Sequence, residues 1–426
     1  MWEDKNILFI HYRVGRTDGV SIEMASWKKA IEAKGGVVKL CSGKINNGAD
    51  FVVDGLEHEL DEESEWLDRR SFGSELSVAD GVVFKERFAN HRMKIEGGFE
   101  EVFQLFKPDL IIISNMFAVG ENLPATVALG NCLDRYRVPT IMIHHDFYWE
   151  NCRYRAPSNE YIKEVIEKYL PLQRPWIRHS CINSIAQEEL WQRKNIWASV
   201  IYDNIDFNQA VWVKKDEVEK LLLERGVTKG GVVLLQATRV VRRKNIEVAV
   251  EFASRLQKEM KEEDVALVLA GYVEKRDESY MEKLIKLAKC SGVNLVHIAD
   301  LVGKQFSLED VYPFADIVTY PSEYEGFGNQ FLEAVFAKKP VVLFEYPVYL
   351  KDIKPKGFEV VSLGAKVALD KITGLKKIPD KVMGKAVKEV IFLLNNEQRC
   401  KEITSLNYLL AREFFGVEAA ISELGS

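Results

Sequence analysis

Short apolar segments alternate with longer amphipathic ones along nearly the whole chain. Such alternation is typical of strands that lead into crossover helices, and it predicts an α/β protein with parallel sheets. The segments form two series, and we expect each series to build its own sheet. At 426 residues the chain is long enough for two α/β domains.

The two series are separated by a polar turn at 201–207 and a charged segment at 214–225, where we expect a hinge. We therefore predict domains at 1–205 and 206–400, followed by an amphipathic closing helix within 401–426. The first domain is predicted to contain a helix at 21–33 and strands at 6–12, 37–40, 109–114, 140–144 and 180–183. The second is predicted to contain strands at 232–236, 266–270, 294–297, 317–320 and 340–344, with helices at 246–260, 280–290 and from Gln330.

Composition excludes several classes of protein. An apolar content of 47% and a charged content of 29% are typical of a soluble globular protein. A formal charge of -6 argues against a nucleic-acid partner, because binding a nucleic acid requires a surplus of basic residues.

No apolar run approaches the roughly 20 residues that span a bilayer, and the N-terminus does not resemble a secretory signal, so we expect a cytoplasmic protein. The six cysteines are isolated, which predicts reduced thiols rather than a metal or redox centre.

Residues 322–334, SEYEGFGNQFLEA, combine a strand end, a glycine turn and a helix start with two carboxylates. Gly326 and Gly328 lack side chains where a ligand approaches the backbone, so the amides of the first helical turn can face a phosphate. We expect Glu325 at the mouth of this turn and Glu333 about two helical turns farther on. The pattern indicates a sugar-nucleotide site.

This segment resembles the signature of the retaining glycosyltransferases of family four. In that signature, two glutamates separated by seven residues frame a Gly-Phe-Gly turn. The resemblance implies that Glu325 holds the hydroxyls of the donor hexose and that Glu333 holds the donor ribose. It also implies donor-binding positions at Phe327 and Asn329.

A second motif, TRVVRRKN at 238–245, lies between a strand and a long helix. Arg239 and Lys244 match the Arg and Lys by which this family grips the donor diphosphate. A guanidinium and an ammonium can neutralise the leaving diphosphate as its charge grows. The alternative interpretation is a solvated basic turn that caps the helix, and we assign Arg242 and Arg243 to such a surface.

A third motif, HHDFYW at 144–149, follows an apolar strand. It resembles the His-Asp-Phe-Trp element of the family, with which His145 and Asp146 align. The family histidine approaches the donor sugar and supports the positive charge of the breaking glycosidic bond. We expect Asp146 and Tyr148 to contact the acceptor. The alternative is that the two adjacent histidines, which point to opposite faces, are only hydrogen-bonded strand-end residues.

The loop at 13–21, RVGRTDGVS, connects the first strand to the first helix. It is not a Gly-x-Gly-x-x-Gly fingerprint, so a nicotinamide-binding domain loses its main support. The family places a similar loop over the donor phosphates and the acceptor. The resemblance therefore implies that Gly19 binds the donor and that Arg13 binds the acceptor. A turn with Ser21 as the helix N-cap is the alternative, and it is compatible with these roles.

Arginines crowd the first half of the chain without forming a nucleic-acid motif. One hypothesis is that some of them line an acceptor pocket for a phosphate or carboxylate, because bidentate arginine suits such groups. Solvated surface charge is the alternative for each. The residues concerned are Arg13, Arg16, Arg69, Arg70, Arg87, Arg92, Arg153 and Arg155.

The family resemblance covers nearly the whole chain in order, and it implies a GT-B fold. In that fold two Rossmann-like parallel-sheet domains face a cleft, the acceptor binds mainly to the first and the nucleotide sugar to the second, and a C-terminal helix crosses back to the first domain. The implied reaction is hexosyl transfer with retention, from a UDP-, GDP- or ADP-hexose to a small hydroxyl acceptor. His145, Glu325, Arg239 and Lys244 carry the catalytic roles, with no metal and no cofactor.

Two other classes stay open at this stage. One is a non-catalytic sugar-nucleotide-binding protein, and the other is an epimerase or phosphorylase on the same fold. The stretches at 9–15 and 145–149 are similar to those of transferases that make mannosyl or glucosyl glycerate-type compatible solutes. This similarity favours a small hydroxyl acceptor, with an anionic acceptor as one of the alternatives.

Overall fold

The computed structural model describes residues 2–15, 19–43, 48–57 and 61–425. Two compact units divide the chain. Unit 1 comprises Met1–Asp203 with Val417–Ser426, and unit 2 comprises Asn204–Gly416. The division between Asp203 and Asn204 falls inside the polar turn at 201–207. No helix in the described part of the chain is long and apolar enough to cross a membrane.

Unit 1 is built on a parallel sheet with the strand order β3-β2-β1-β4-β5-β6-β7. Parallel strands are covered on both faces, so they are nearly continuous apolar runs, and every residue of the strand at 140–144 is buried. The strands are β1 (Asn6–Ile10), β2 (Val37–Ser42), β3 (Phe51–Val52), β4 (Leu110–Ser114), β5 (Thr140–His144), β6 (Ile177–Cys181) and β7 (Ala198–Val200).

Helices connect these strands and cover the sheet. Three of them begin at an asparagine whose side chain accepts a hydrogen bond from the first helical turn: Asn122, Asn159 and Asn183. The helices are α1 (Gly19–Glu32), α2 (Glu62–Ser71), α3 (Val78–Phe106), α4 (Leu123–Tyr136), α5 (Glu160–Tyr169) and α6 (Ser184–Lys194). The long helix α3 packs on α4 and buries a row of phenylalanines in the core: Phe84, Phe88, Phe99 and Phe103.

Unit 2 repeats this plan with a parallel sheet in the order β10-β9-β8-β11-β12-β13. Its strands are β8 (Val232–Gln236), β9 (Val265–Leu269), β10 (Asn294–His297), β11 (Ile317–Tyr320), β12 (Val341–Leu343) and β13 (Val361–Ser362), and β14 (Ala368–Leu369) and β15 (Lys376–Lys377) form an antiparallel pair. Its helices are α7 (Asp216–Glu224), α8 (Ile246–Glu259), α9 (Glu278–Ser291), α10 (Asn329–Phe336), α11 (Asp380–Leu394) and α12 (Glu397–Phe414). Shorter 3₁₀ or π turns occur at Arg242–Lys244, Lys275–Asp277, Tyr312–Phe314, Tyr349–Ile353 and Lys354–Lys356.

Both sheets reverse their strand order at one point, between β1 and β4 in unit 1 and between β8 and β11 in unit 2. In open α/β sheets, ligands bind outside the carboxyl ends of the strands at this switch point. The fold therefore singles out two sets of loops. They are the loops after β1 and β4 in unit 1, and the loops after β8 and β11 in unit 2.

Several elements differ from the sequence expectation, which named neither strands β3, β7 and β13 nor helices α2 to α6. The strand expected at 180–183 is β6, which begins earlier, at Ile177. Arg178 and His179 interrupt its apolar pattern. Arg178 is exposed, and its guanidinium donates a hydrogen bond to the carbonyl oxygen of Leu424 at 2.7 Å.

The closing segment at 401–426 is two helices rather than one. Helix α12 ends at Phe414, and α13 (Val417–Gly425) follows Gly416, which forms a β-bridge with Ile205. A side-chain carbon at Gly416 would lie 2.4 Å from the carbonyl oxygen of Arg412. Helix α12 packs on α10 in unit 2, whereas α13 packs on α1 in unit 1. Only the last helix therefore belongs to the first unit.

Candidate active site

The loops that follow β8 and β11 are joined by hydrogen bonds at the switch point of unit 2. The amide of Glu323 donates to the carbonyl oxygen of Arg243 at 3.0 Å. The guanidinium of Arg243 donates to the carbonyl oxygen of Tyr324 at 2.6 Å, and the Asn245 side chain donates to that of Pro321 at 3.1 Å. The two motifs that are about 80 residues apart in sequence therefore form one site.

Glu325 and Lys244 form a buried ion pair at the centre of this site. The Nη1 atom of Arg243 lies 2.9 Å from the second carboxylate oxygen of Glu325. Burial raises the pKa of Glu325, but the two cations outweigh burial and lower the pKa below its ordinary value. Burial lowers the pKa of Lys244 to about 8, against the opposing effect of Glu325. Both groups are thus charged at neutral pH.

Arg243 was assigned to a solvated surface on sequence grounds, and this assignment is wrong. Although its side chain is 41% exposed, it contacts both the carboxylate of Glu325 and the backbone before it. The sequence gives no signal for this role, because the pairing crosses from one loop to another. Arg242, by contrast, is exposed, and its guanidinium lies 5.5 Å from the ring centre of Tyr280.

Arg239 lies on the same loop as Lys244 but has a more exposed side chain. Its Nη1 atom is 2.7 Å from a carboxylate oxygen of Glu274, which follows β9. Its charge contributes to the lowered pKa of Lys244, so the two cations act on the same region. The structure therefore places Lys244 against Glu325, and it places Arg239 on the same loop, paired with Glu274.

The Gly-Phe-Gly turn adopts a backbone conformation that only glycine accepts readily. Gly328 has a φ of +135°, and a side-chain carbon there would lie 2.3 Å from the hydroxyl of Tyr346. That hydroxyl donates a 2.7 Å hydrogen bond to the carbonyl oxygen of Phe327, whose ring is buried. Helix α10 begins at Asn329, which is exposed, and no side chain in the described ranges caps its start. The start of α10 can therefore receive an anion.

Glu333 lies on α10 and is partly buried. The hydroxyl of Tyr312 donates a 2.5 Å hydrogen bond to its Oε2 atom. Burial raises the pKa of Glu333 to about 7, and Tyr312 and Lys244 act in the opposite direction. The two glutamates of the motif thus differ, since Glu325 is firmly ionised and Glu333 titrates near neutrality. Sequence reasoning missed Tyr312, which lies before β11 and outside every motif.

In unit 1, the segment after β5 is held to the loop after β4. The side-chain oxygen of Asn115 accepts hydrogen bonds from the amides of His145 and Asp146, at 3.1 and 3.2 Å. The imidazole of His145 lies between two carboxylates, with Nε2 3.5 Å from Glu23 and Nδ1 3.9 Å from Asp203. Burial, followed by the charge of Asp146, raises the pKa of Asp203 to about 7.

His144 and His145 point in opposite directions, as expected for adjacent strand residues. His144 is fully buried, and its Nε2 atom lies 3.0 Å from Nδ1 of His179. Burial lowers the pKa of both His144 and His179, to about 4 for His179, so this pair is neutral. Asp146 is exposed and Tyr148 is partly buried, with the ammonium of Lys194 5.5 Å from its ring centre.

The loop after β1 is described only in part. Arg13 is partly buried three residues beyond Ile10, the last residue of β1, and Gly19 is the first residue of α1. Ser21 lies inside that helix, so the alternative that made it the helix N-cap is wrong. The intervening residues 16–18, with Arg16, lie outside the described ranges.

The remaining arginines are mostly engaged within unit 1. Arg70 lies over the ring of Trp66, with 4.1 Å from its guanidinium carbon to the ring centre, and Arg155 is exposed. The others form ion pairs: Arg69 with Glu65, Arg87 with Glu63, Arg92 with Glu96 and Arg153 with Asp68. These pairs favour the surface-charge interpretation over an acceptor pocket for these four residues.

Comparison with known proteins identifies the family. The model of the family "Glycosyl transferases group 1" matches residues 219–402. The mannosylglucosylglycerate synthase of Petrotoga mobilis is 37% identical over 428 residues, which cover 95% of this chain and 97% of the relative. The mannosylglucosylglycerate synthase of Thermotoga maritima is 35% identical over 427 residues, with 97% of each chain covered. The chain belongs to the group 1 glycosyltransferases.

Solved structures agree with the two-unit architecture of this group 1 glycosyltransferase. The Anabaena protein Alr3699/HepE, in complex with UDP and glucose, superposes with a TM-score of 0.59 over 99% of this chain and 98% of its own, at 15% identity. The expected GT-B fold, the family and the enzyme class are confirmed. The chain is therefore an enzyme rather than a binding protein alone.

The buried ion pair leads to a stability prediction. Replacing Lys244 by Met leaves the Glu325 charge buried with Arg243 as the remaining cation that the described residues place against it, and we expect the free energy of unfolding to fall by about 3 kcal/mol. The double variant Lys244→Met/Glu325→Leu removes both charges and should recover at least about 1 kcal/mol of this loss. Chemical denaturation of the single and double variants measures the coupling. The exposed Lys261 provides the control Lys261→Met, and strictly additive effects would contradict the prediction.

Proposed function

We propose that this enzyme is a retaining hexosyltransferase that makes mannosylglucosylglycerate, by moving a mannosyl group from a nucleotide sugar to glucosylglycerate. The donor part of this proposal depends on one observation. Lys244 and Glu325 form an ion pair at the switch point of unit 2, Arg239 lies on the same loop as Lys244, and helix α10 begins close by without a side-chain cap from the described residues. The acceptor part depends on the similarity to two mannosylglucosylglycerate synthases over almost the full length of the chain.

The donor diphosphate is proposed to bind between the two cations and the start of α10. A guanidinium and an ammonium match the negative charge of a diphosphate, and the amides of the first helical turn add further donors. Lys244 has a pKa of about 8, so an arriving phosphate would favour its charged form. Glu325 keeps its ionised carboxylate beside Lys244, where it can accept hydrogen bonds from the hydroxyls of the hexose.

The transfer itself is proposed to proceed on one face of the sugar. The bond between the anomeric carbon and the diphosphate oxygen breaks, and the acceptor oxygen bonds to the same face of that carbon. The acceptor proton passes to the departing diphosphate, so a separate base is not required. Arg239 and Lys244 stabilise the charge on the leaving group. His145, which lies between Glu23 and Asp203, supports the positive charge on the sugar.

The acceptor is proposed to be small and anionic. The carboxylate of a glycerate group requires a cation, and Arg13 lies in the loop after β1, at the switch point of unit 1. Asp146 and Tyr148 follow β5 at the same edge of the sheet and are proposed to bind the acceptor hydroxyls.

The proposal is tested by assaying UDP-, GDP- and ADP-hexoses with glucosylglycerate, and by following the nucleoside diphosphate and the anomeric configuration of the product by NMR. With the donor that gives product, Arg239→Ala should lower kcat about 100-fold or more, because it removes charge that stabilises the leaving group. Arg242→Ala is the matched control, since Arg242 is an exposed arginine on the same loop. Equal activity of the Arg239 and Arg242 variants would contradict the assignment, as would release of an inverted product.

The charge of the acceptor gives a second prediction. Glucosylglycerol lacks the carboxylate of glucosylglycerate, so it cannot form a charge-assisted hydrogen bond with Arg13. Because the loss of one such bond lowers kcat/KM at least about tenfold, we expect a difference of that size between the two acceptors. Arg13→Gln should lower kcat/KM for glucosylglycerate and leave that for glucosylglycerol nearly unchanged. Equal use of the two acceptors by the unaltered enzyme would remove the anionic-acceptor proposal.

A third prediction concerns metal ions. Because Arg239 and Lys244 supply the positive charge that a divalent cation supplies in other transferases, the proposed mechanism requires no metal. Dialysis against EDTA should therefore leave kcat within about twofold. A large loss that Mg²⁺ or Mn²⁺ restores would show that the two cations are not sufficient.

A further inference from the structure

We propose that Tyr312 is a positioning residue that holds Glu333 in the orientation and charge state needed to bind the ribose of the donor. This inference rests on the proposed donor site and adds a residue that no motif contains. Three observations support it: the short hydrogen bond between the two side chains, the burial of Tyr312, and the contact of its ring with Trp212, which packs on helix α10.

Tyr312 is held firmly in relation to Glu333. Its side chain is fully buried, and its ring lies 5.3 Å from that of Trp212. The Trp212 ring in turn lies 4.7 Å from that of Phe336, which is three residues after Glu333 on α10. Residues three apart are neighbours on a helix surface. The rings of Trp212 and Phe336 therefore pack beside both Tyr312 and the helix face that carries Glu333. The tyrosine hydroxyl therefore has a fixed position relative to the carboxylate.

The hydrogen bond between Tyr312 and Glu333 has the length of a charge-assisted bond. The hydroxyl donates to Oε2 of Glu333 at 2.5 Å, which is within the range for a hydroxyl and a carboxylate. Burial raises the pKa of Tyr312 well above its ordinary value, so the hydroxyl keeps its proton and acts as the donor. It occupies one lone pair of Glu333 and leaves the others available to a ligand.

The ribose diol presents two hydroxyl donors, and an ionised carboxylate can accept both. A protonated carboxyl group loses part of this capacity, because it becomes a donor itself. Burial and the charge of Glu309 raise the pKa of Glu333, whereas Tyr312 and Lys244 lower it, with a result of about 7. Removing the tyrosine hydroxyl should raise this pKa further. At pH 7 more of Glu333 would then be protonated, and at pH 9 the carboxylate would be ionised with or without the hydroxyl.

The test compares two probes, the nucleoside 5′-diphosphate of the productive donor and its 2′,3′-dideoxy analogue, by calorimetry at pH 6, 7 and 9. We expect the unaltered enzyme to bind the ribose form about tenfold more tightly at pH 7, and Glu333→Gln to lose most of this preference. Tyr312→Phe should weaken binding of the ribose form about fivefold at pH 7 and leave binding of the dideoxy form unchanged. The difference between Tyr312→Phe and the unaltered enzyme should shrink toward pH 9.

Tyr408→Phe is the matched control. Tyr408 lies in the same aromatic group, with its ring 6.2 Å from that of Phe336, and its hydroxyl makes no hydrogen bond to any residue within the described ranges. This variant should bind both probes as the unaltered enzyme does.

The outcomes separate this inference from the proposed function. If the unaltered enzyme binds neither probe, the proposed donor site is wrong. If it binds both equally, the ribose assignment of Glu333 is wrong, and the role of Tyr312 with it. If Glu333→Gln loses the ribose preference while Tyr312→Phe keeps it, or if Tyr312→Phe weakens both probes equally at every pH, only the Tyr312 inference is overturned.

Discussion

The buried ion pair between Lys244 and Glu325 is the interaction on which the donor site depends. Removing two charges from water is costly, and the cost is offset here by their mutual attraction and by the guanidinium of Arg243. The pair links the loop after β8 to the loop after β11. It therefore fixes both halves of the site with a charged ammonium and an ionised carboxylate side by side.

The fold explains why these residues meet. Strands β8 and β11 are neighbours in the sheet although more than 80 residues separate their starts, and their carboxyl ends lie at the same edge. In unit 1 the loops after two neighbouring strands are also linked. The side chain of Asn115, after β4, accepts hydrogen bonds from the backbone amides of His145 and Asp146, after β5. In both units the chemistry-bearing side chains follow strands that are wholly or almost wholly buried. The core therefore positions the loops, and the loops carry the function.

Much of the fold was predictable because parallel strands leave a plain apolar signal. Strands β5, β8, β10 and β11 begin and end where the sequence predicted. Strand β6 was misplaced because Arg178 and His179 break its apolar run. The break at Gly416 was missed because both flanking helices are amphipathic, so the periodicity continues across it.

The site was predictable only where its residues lie within local motifs. Arg239, Lys244, Glu325 and Glu333 stand at spacings that match the family signature, so a short stretch of sequence was enough to single them out. The roles of Arg243 and Tyr312 were not predicted, because each contacts a residue that is distant in the chain. Arg243 contacts Glu325 through the arrangement of the sheet, and Tyr312 contacts Glu333 on α10. Long-range contacts of this kind have no local signal.

The central claim is that unit 2 anchors the diphosphate of an activated sugar through paired cations and the start of α10. A crystal structure with the nucleoside diphosphate of the productive donor tests it most directly. The account predicts the diphosphate in contact with the side chains of Arg239 and Lys244 and with the backbone amides at Gly328–Gln330. A diphosphate bound elsewhere on the enzyme, with these groups uninvolved, would contradict it.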